Sequence, residues 1–276
     1  MRGSSQKLII KLSDNQKETA SAWLNIADVD AILETEDGLT VYKEDGNLES
    51  VIKMLDENMA IPSSDMIIEN EKVINWNSEW AANFNPLLIG EIYVRAAFHK
   101  HDPKAKVDLL ISPKMAFGTG HHETTHMMLD HMQSLSLKGK KVLDYGCGTG
   151  ILSVFSRMQG CEEMTCIDIQ QEAIENTIEH FEINGYKPDD IEIHQGDLDK
   201  LVSKSYDIIL ANINRHVLLK QYRLLHQLLL NEGQLVISGI LKTDRTLILD
   251  TYTSAHFNLT SEDSKGEWTR MTFTKK

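Results

Sequence analysis

The sequence predicts an α/β protein built around a mostly parallel sheet, preceded by a smaller α+β domain. Three observations predict it. From about residue 87 onward, short apolar runs alternate with helix-length amphipathic stretches, the pattern of a parallel sheet covered on both faces. Residues 142–150, Val-Leu-Asp-Tyr-Gly-Cys-Gly-Thr-Gly, carry one such run into a turn with three glycines and then into a helix. One unit later the run at 164–168 ends on a lone carboxylate, Asp168. A chain of 276 residues accommodates one large or two ordinary domains.

The first 74 residues read as β-α-β-β-α-β. Residues 7–12 alternate like a strand, and Asp14 is placed to cap a helix running to 26. Residues 30–34 and 39–42 suggest a hairpin around Glu36-Asp37-Gly38. Asn47 can cap a second helix with Val51, Ile52, Leu55 and Met59 on one face; Pro62 stops it, and 66–74 gives a last strand. That order suggests a ferredoxin-like sandwich. Residues 75–94 follow as a helical linker, with Trp76, Trp80 and Phe84 at i, i+4, i+8 and Pro86 behind them.

The larger domain spans 95–276. Strands are expected at 88–94 and 107–112 and a helix at 122–134. The alternating series follows: strands at 141–145, 163–169, 191–194, 206–211 and 233–240, and helices at 150–160, 171–184, 215–230 and 242–255. Residues 256–262 and 268–274 read as a closing hairpin around Ser264-Lys265-Gly266.

Composition, 41% hydrophobic and 25% charged, is that of a soluble globular protein, and no apolar run approaches the ~20 residues of a membrane span. The opening residues lack the apolar core of a signal peptide. Three cysteines, 147, 161 and 166, have no metal-ligand spacing and no even count, which suits a reducing cytoplasm. A net charge of −13 with no basic cluster argues against direct nucleic-acid binding; it suits a basic protein partner or plain solubility.

Which ligand does the glycine turn take? A dinucleotide fingerprint is G-x-G-x-x-G/A; here Gly146 and Gly148 fit, but the third glycine, Gly150, comes one residue early and Ile151 fills its place. No Lys-Ser/Thr follows, so the turn is not a triphosphate loop. Asp168 can accept both hydroxyls of a ribose. The pattern D-x-G-x-G-x-G with a downstream acid resembles S-adenosylmethionine-dependent methyltransferases of the Rossmann-like class. For that class the fold expected is a seven-stranded methyltransferase sheet, parallel and finished by an antiparallel hairpin.

A second signal is Phe117-Gly118-Thr119-Gly120 running into Thr124-Thr125, where amides at a helix start and the Thr125 hydroxyl can face a ligand and Phe117 can supply an apolar surface. Within it, His122-Glu123-Thr124-Thr125-His126 matches H-E-x-x-H, the zinc-hydrolase signature. No third ligand follows at a known spacing: His131 lies five residues after His126, and 141–150 form a strand and a turn. No metal is expected. The third signal is Asn212, delivered by the apolar run 207–211 to the same sheet edge. Pro-Pro-aromatic does not follow it; Ile213-Asn214-Arg215 does, which argues against adenine-DNA and glutamine-amide methyltransferases. Asp197, after the third strand of the series, can meet an adenine amino group or sit in a solvated turn, and Asp144 can anchor the glycine turn through backbone hydrogen bonds.

Taken together, Phe117-Gly118-Thr119-Gly120-x-His122-x-Thr124-Thr125, Asp144-x-Gly146-Cys147-Gly148-x-Gly150-Ile151-Leu152, Ala211-Asn212-Ile213 and Ser238-Gly239-Ile240-Leu241 resemble the bacterial ribosomal protein L-eleven methyltransferase family. The run 76–90 is similar to that family's linker. The resemblance implies an N-terminal domain recognising a ribosomal large-subunit protein, a linker, and a catalytic domain using S-adenosyl-L-methionine. Methylation would fall on the substrate's α-amino group and lysine ε-amino groups. By motif position it implies cofactor binding by Thr125, Gly146, Asp168 and Asn212, and a catalytic role for Asn212. Phe117, Gly118, Thr119, Gly148 and Asp197 complete the candidate site. The chain departs from the family at His121-His122-Glu123, where Thr-His-Pro is frequent, and at Asn214-Arg215, where Leu-Ala is more usual. A monomer is expected. The alternatives are a methyltransferase acting on another protein or a small-molecule amine and, remotely, a zinc hydrolase.

Overall fold

The computed structural model describes residues 4–24, 29, 31–35, 37–44, 48–59, 61–62, 65–72, 84–112 and 118–276. The chain divides into two compact units, Met1–Glu79 and Trp80–Lys276.

In the first unit, β1 (Ser4–Lys11), α1 (Asp14–Leu24), β2 (Ala31–Thr35), β3 (Gly38–Glu44), α2 (Glu49–Met59) and β4 (Met66–Lys72) follow one another. The sheet order is β2-β3-β1-β4, and the β2–β3, β3–β1 and β1–β4 pairings are all antiparallel. This is the split β-α-β arrangement expected from the element order. Alternation along the strands buries Leu8 and Ile10 of β1 and Leu39 and Val41 of β3 against Ala20 and Leu24 of α1 and Val51 and Leu55 of α2. The start of α1 differs from expectation. Ser13, not Asp14, marks it: Gln16 Oε1 accepts from the Ser13 N–H at 3.1 Å and from its hydroxyl at 2.7 Å, half of a capping box. Asn47, Glu36, Ile26, Trp76 and Trp80, which the sequence reading used, lie outside the described residues.

The second unit begins with β5 (Leu87–Ile89), β6 (Ile92–Arg95) and β7 (Val107–Leu110), a small sheet with β6 in the middle. The expected single strand at 88–94 is therefore two. Gly90, at φ 57°, and Glu91 reverse the chain so that Ile89 and Ile92 are both buried. Leu87, Ile89, Ile92 and Val94 pack into the second unit's core. The free edge of β7 is closed by side chains. Asn184 exchanges hydrogen bonds with the Leu110 backbone at 2.9 and 2.7 Å, and the Ser112 N–H donates to His180 Nε2 at 2.8 Å.

The main sheet has seven strands: β8 (Lys141–Tyr145), β9 (Glu163–Asp168), β10 (Glu192–Gln195), β11 (Tyr206–Asn212), β12 (Leu229–Leu241), β13 (Phe257–Lys265) and β14 (Trp268–Lys275). Their order is β10-β9-β8-β11-β12-β14-β13, parallel through β12 and antiparallel beyond it. The helices between them are α3 (Glu123–Met132), α4 (Ile151–Met158), α5 (Gln171–Ile183), α6 (Arg215–Leu228) and α7 (Arg245–Ser254). Side chains alternate across the sheet and build a core on each face. Val142, Cys166, Ile208, Leu210 and Val236 meet α3, α4 and α5 through Met128, Phe155 and Phe181. Leu143, Ile167, Ile209, Leu235 and Ile237 meet α6 and α7 through Leu225 and Tyr252. Each such fully buried side chain stabilises the fold by about 1.5–3 kcal/mol over leaving it in water. Strand order reverses between β8 and β11, and ligands of open α/β sheets bind at such a switch point.

Between α3 and the hairpin lies a buried polar pair. Arg270, 4% exposed, donates from Nη1 to the Thr272 hydroxyl at 2.8 Å, and His131 Nε2 lies 2.9 Å from the same hydroxyl. Burial, with Arg270's charge adding, pushes the His131 pKa down to about 4. A group whose folded pKa is depressed supports the fold above its unfolded pKa of about 6.5 and loses that support as pH falls towards the folded value. The urea midpoint is therefore expected to drop as pH is lowered from about 6.5 to about 4. In His131→Gln that drop should be shallower; an unchanged slope would show that His131 does not carry the effect.

Candidate functional site

The site assembles at the C-terminal ends of β8, β9, β11 and β12. After Tyr145 the chain turns through Gly146, Cys147, Gly148, Thr149 and Gly150, with positive φ at all three glycines, and enters α4 with Gly150 at its N-cap. The turn holds itself shut. The Gly146 N–H donates to Ile167 O at 2.8 Å, the Cys147 N–H to the same oxygen at 3.3 Å, and the Gly150 N–H to Cys147 O at 2.7 Å. The Gly148 N–H donates to Asp168 Oδ2 at 3.1 Å. With these amides already engaged, the turn is no cradle for a diphosphate, which needs free N–H groups.

Asp168 ends β9 facing this turn. Its Oδ1 accepts from the Gln170 N–H at 3.0 Å. A carboxylate offers about four acceptor positions, so with two used Asp168 can still take a pair of hydroxyls. Asp197 is differently placed. It caps a short 3-10 turn at Leu198–Leu201, and its oxygens accept from Tyr145 Oη at 2.8 Å, the Leu198 N–H at 2.7 Å and Gln221 Nε2 at 2.8 Å. The carboxylate thus ties β8 and α6 to the edge of the sheet and keeps about one acceptor position.

Asp144, 1% exposed, lies one residue before Tyr145. Its partner is not the turn backbone, as the sequence suggested, but the hydroxyl of Ser153 on α4, which donates to Oδ2 at 2.5 Å; Oδ1 is buried with no hydrogen-bond partner. Cys166 Sγ donates in turn to Ser153 Oγ at 3.1 Å. Burial pushes the Asp144 pKa up to about 7, opposed by the Ser153 bond and helped by the charge of Asp168.

The second motif closes on the first. Thr149 Oγ1 donates to Gly118 O at 2.8 Å, clasping the 118–122 loop to the glycine turn. Buried Thr119 contacts His121 Nδ1 at 3.3 Å, and His121 Nε2 lies 2.9 Å from Asn85 O. Phe117 lies outside the described residues. His122 is the N-cap of α3, its Nδ1 taken by the Thr124 hydroxyl at 2.8 Å. It therefore stands outside the helix, and no group of three or more His, Cys, Asp or Glu able to hold a metal occurs among the described residues.

Asn212 joins the parts. Its Nδ2 donates to Thr125 Oγ1 at 3.1 Å, while its Oδ1 is buried and unpartnered. Beside it opens a cavity of about 300 Å³ lined by His122, Thr124, Asn212, Ile213, Asn214, Gly239 and Trp268. The rings of His122 and Trp268 meet edge to face at 5.0 Å. Sequence reasoning passed over Trp268. The available signal was topological: an antiparallel strand following the parallel series starts at the edge where the others end, and Trp268 opens β14 opposite Leu241. The two departures near Asn212 have structural jobs. Asn214 caps α6 by accepting from the Val217 N–H at 3.2 Å, and Arg215 forms an ion pair with Asp244.

Ile213 fixes the width of the site. A Cβ on Gly146 would lie 2.2 Å from Ile213 Cγ2, and one on Gly239 would lie 2.3 Å from Ile213 O. With Gly146 also at φ 75°, Gly146→Ala is expected to cost about 2–4 kcal/mol from left-handed strain and overpacking. Adding Ile213→Ala should recover the steric share and not the strain; chemical denaturation of the single and double variants measures both. For Asp144, a carboxyl pKa raised on folding means support present below about 3.8 and lost as pH rises through about 7. Asp144→Asn should therefore be more stable than the parent above neutral pH; equal stability there would contradict the buried-charge assignment.

The family model described as ribosomal protein L11 methyltransferase matches residues 4–276. A ribosomal protein L11 methyltransferase of Bacteroides fragilis is 33% identical over 267 residues, 95% of either chain. One from Porphyromonas gingivalis is 40% identical over 204 residues, 73% of this chain and 70% of that one. In fold, the crystal structure of a ribosomal protein L11 methylase from Lactobacillus delbrueckii subsp. bulgaricus superposes with a TM-score of 0.65 at 24% identity, covering 70% of this chain and all of that one. With the glycine turn, Asp168 and Asn212 gathered on one sheet edge and a family match over nearly the whole sequence, the chain belongs to the ribosomal protein L11 methyltransferase family.

Proposed function

We propose that this protein transfers methyl groups from S-adenosyl-L-methionine to amines of a large-subunit ribosomal protein of the L11 kind, at its α-amino group and at lysine ε-amino groups. The observation that carries the reading is Asn212, which lines an apolar-mouthed cavity beside the glycine turn and holds a buried Oδ1 with no partner. A buried amide oxygen without a donor costs about 1–3 kcal/mol, and an entering amine N–H relieves that cost.

The residues present fit the cofactor. Positive-φ Gly146 and Gly148 leave space no Cβ fills, Asp168 retains acceptor positions for ribose hydroxyls, and Asp144 Oδ1 is a buried acceptor suited to an ammonium group. Gly118, in the loop clasped to the turn by Thr149, its neighbour Thr119, and Thr125 beside Asn212 are read as further cofactor contacts, with Phe117 and Asp197 added by motif position. When bound, S-adenosylmethionine supplies an electrophilic methyl on a sulfonium sulfur. The chain's task is then positioning, since the leaving sulfide is neutral. Asn212 Oδ1 accepts one amine N–H and aims the lone pair; Thr125 fixes that amide from behind. Ile213, Trp268 and His122 wall the mouth and keep out water. Desolvation there lowers the pKa of a lysine from about 10.4 towards neutrality, so that the attacking form is populated, whereas an α-amine near 7.7–8.0 needs little help.

By the same reading, residues 1–74 recognise the protein substrate and the segment from 75 joins them to the catalytic unit. The enzyme acts as a cytoplasmic monomer without direct contact to nucleic acid or membrane. Among the described residues no helix is long and apolar enough to cross a membrane.

Incubation with labelled S-adenosylmethionine and a bacterial ribosomal extract should label one basic protein band; label in RNA, or in no band, would overturn the reading. Asn212→Ala should lower methyl transfer by about 10²-fold or more, the scale on which losing one oriented contact acts. Full activity and full cofactor affinity in that variant would refute its role.

A further inference from the structure

On the second unit, away from the glycine turn, a recess of about 340 Å³ is lined by Tyr222, Arg223, His226, Ser254, Ala255 and His256. Its place follows from topology. Both α6 and α7 leave the sheet edge where the parallel strands end, so their C-terminal residues reach the opposite edge. In a chain carrying a net charge of −13, this lining contains an arginine and two histidines and no carboxylate. Arg223 makes no ion pair among the described residues; its Nε donates to Tyr222 Oη at 2.9 Å and its guanidinium carbon sits 5.5 Å from that ring.

Helix C-termini carry partial negative charge that repels anions. Here it is offset on α6 by Lys275, whose Nζ donates to His226 O at 2.8 Å and Leu229 O at 2.7 Å, bringing a second fixed cation, beside Arg223, behind the recess. The ring of His226 is held edge-on by Phe257 at 5.1 Å. Burial, then the charges of Lys275 and His256, lower the His226 pKa, and no carboxylate opposes them. His256 stands just past α7 at φ 63°, a left-handed position where glycine is the easy choice. A side chain kept in a strained backbone position points to a use for that side chain.

We propose that this recess binds a phosphate-type oxyanion, taken by the Arg223 guanidinium and the imidazoles of His226 and His256. Such groups form charge-assisted hydrogen bonds with phosphate oxygens, and the Arg fork suits them geometrically. The site lies apart from Asn212 and the glycine turn, so its occupation is a second binding activity of the catalytic unit.

The test titrates the full chain with inorganic phosphate and follows the His226 and His256 ring resonances at a pH near the histidine pKa. Both should shift saturably, chloride at matched ionic strength should leave them in place, and Arg223→Gln should weaken the apparent affinity by about tenfold or more while methyl transfer is unchanged. A second arm uses glycerol 3-phosphate: tighter saturation than by phosphate marks a phosphorylated organic ligand, and saturation by inorganic phosphate alone marks the free anion. His256→Gly relieves the backbone while removing a ligand group, so it should gain thermal stability and lose affinity. Resonances that do not saturate, an equal response to chloride, or unaltered binding in Arg223→Gln or His256→Gly would overturn the site.

Discussion

Backbone closeness at the point where β8 and β11 lie side by side sets the dimensions of everything functional in this molecule. Ile213 leaves β11 and passes between Gly146 and Gly239 with no room for a Cβ on either. That squeeze brings the glycine turn, Asn212 and the end of β12 within one side chain of one another. Beside it the turn's own amides close inward on Ile167 O and Asp168, which leaves few of them for a phosphate group.

Around this junction the polar groups divide by what they still lack. Asp197, Tyr145 and Gln221 satisfy one another and stiffen the rim. Thr149 and Gly118 clasp two loops together. Asp144 Oδ1 and Asn212 Oδ1, on neighbouring strands, are left buried without donors. Buried unsatisfied acceptors are rare because they are costly, so two on one sheet edge mark where a ligand's own donors are expected.

The parts of this arrangement that were legible in the sequence are those set by local rules. Apolar runs, glycines and a terminal carboxylate are read in a window of a few residues, so the glycine turn, Asp168, Asn212 and the strand–helix alternation all stood out, as did the split β-α-β pattern of the first unit. What could not be read depends on pairing between distant residues. The turn at Gly90-Glu91 interrupts a run that looks like one strand because Ile89 and Ile92 are equally apolar. Asp144 has its partner one turn of helix beyond the glycines, and backbone anchoring looked equally good until Ser153 was placed. Trp268 enters the site only because β14 slots between β12 and β13, an order no local pattern encodes.

That slotting has a consequence in time. Since β14 separates β12 from β13, the residues of β13 are synthesised before the strand they pair with exists, and β12 offers them no place. The parallel core can consolidate while the hairpin waits, as non-local pairing generally lags. Trp268, one wall of the cavity beside Asn212, takes its place only when β14 docks. A chain that has already formed its glycine turn therefore still lacks one wall of the cavity beside it until the hairpin is in place.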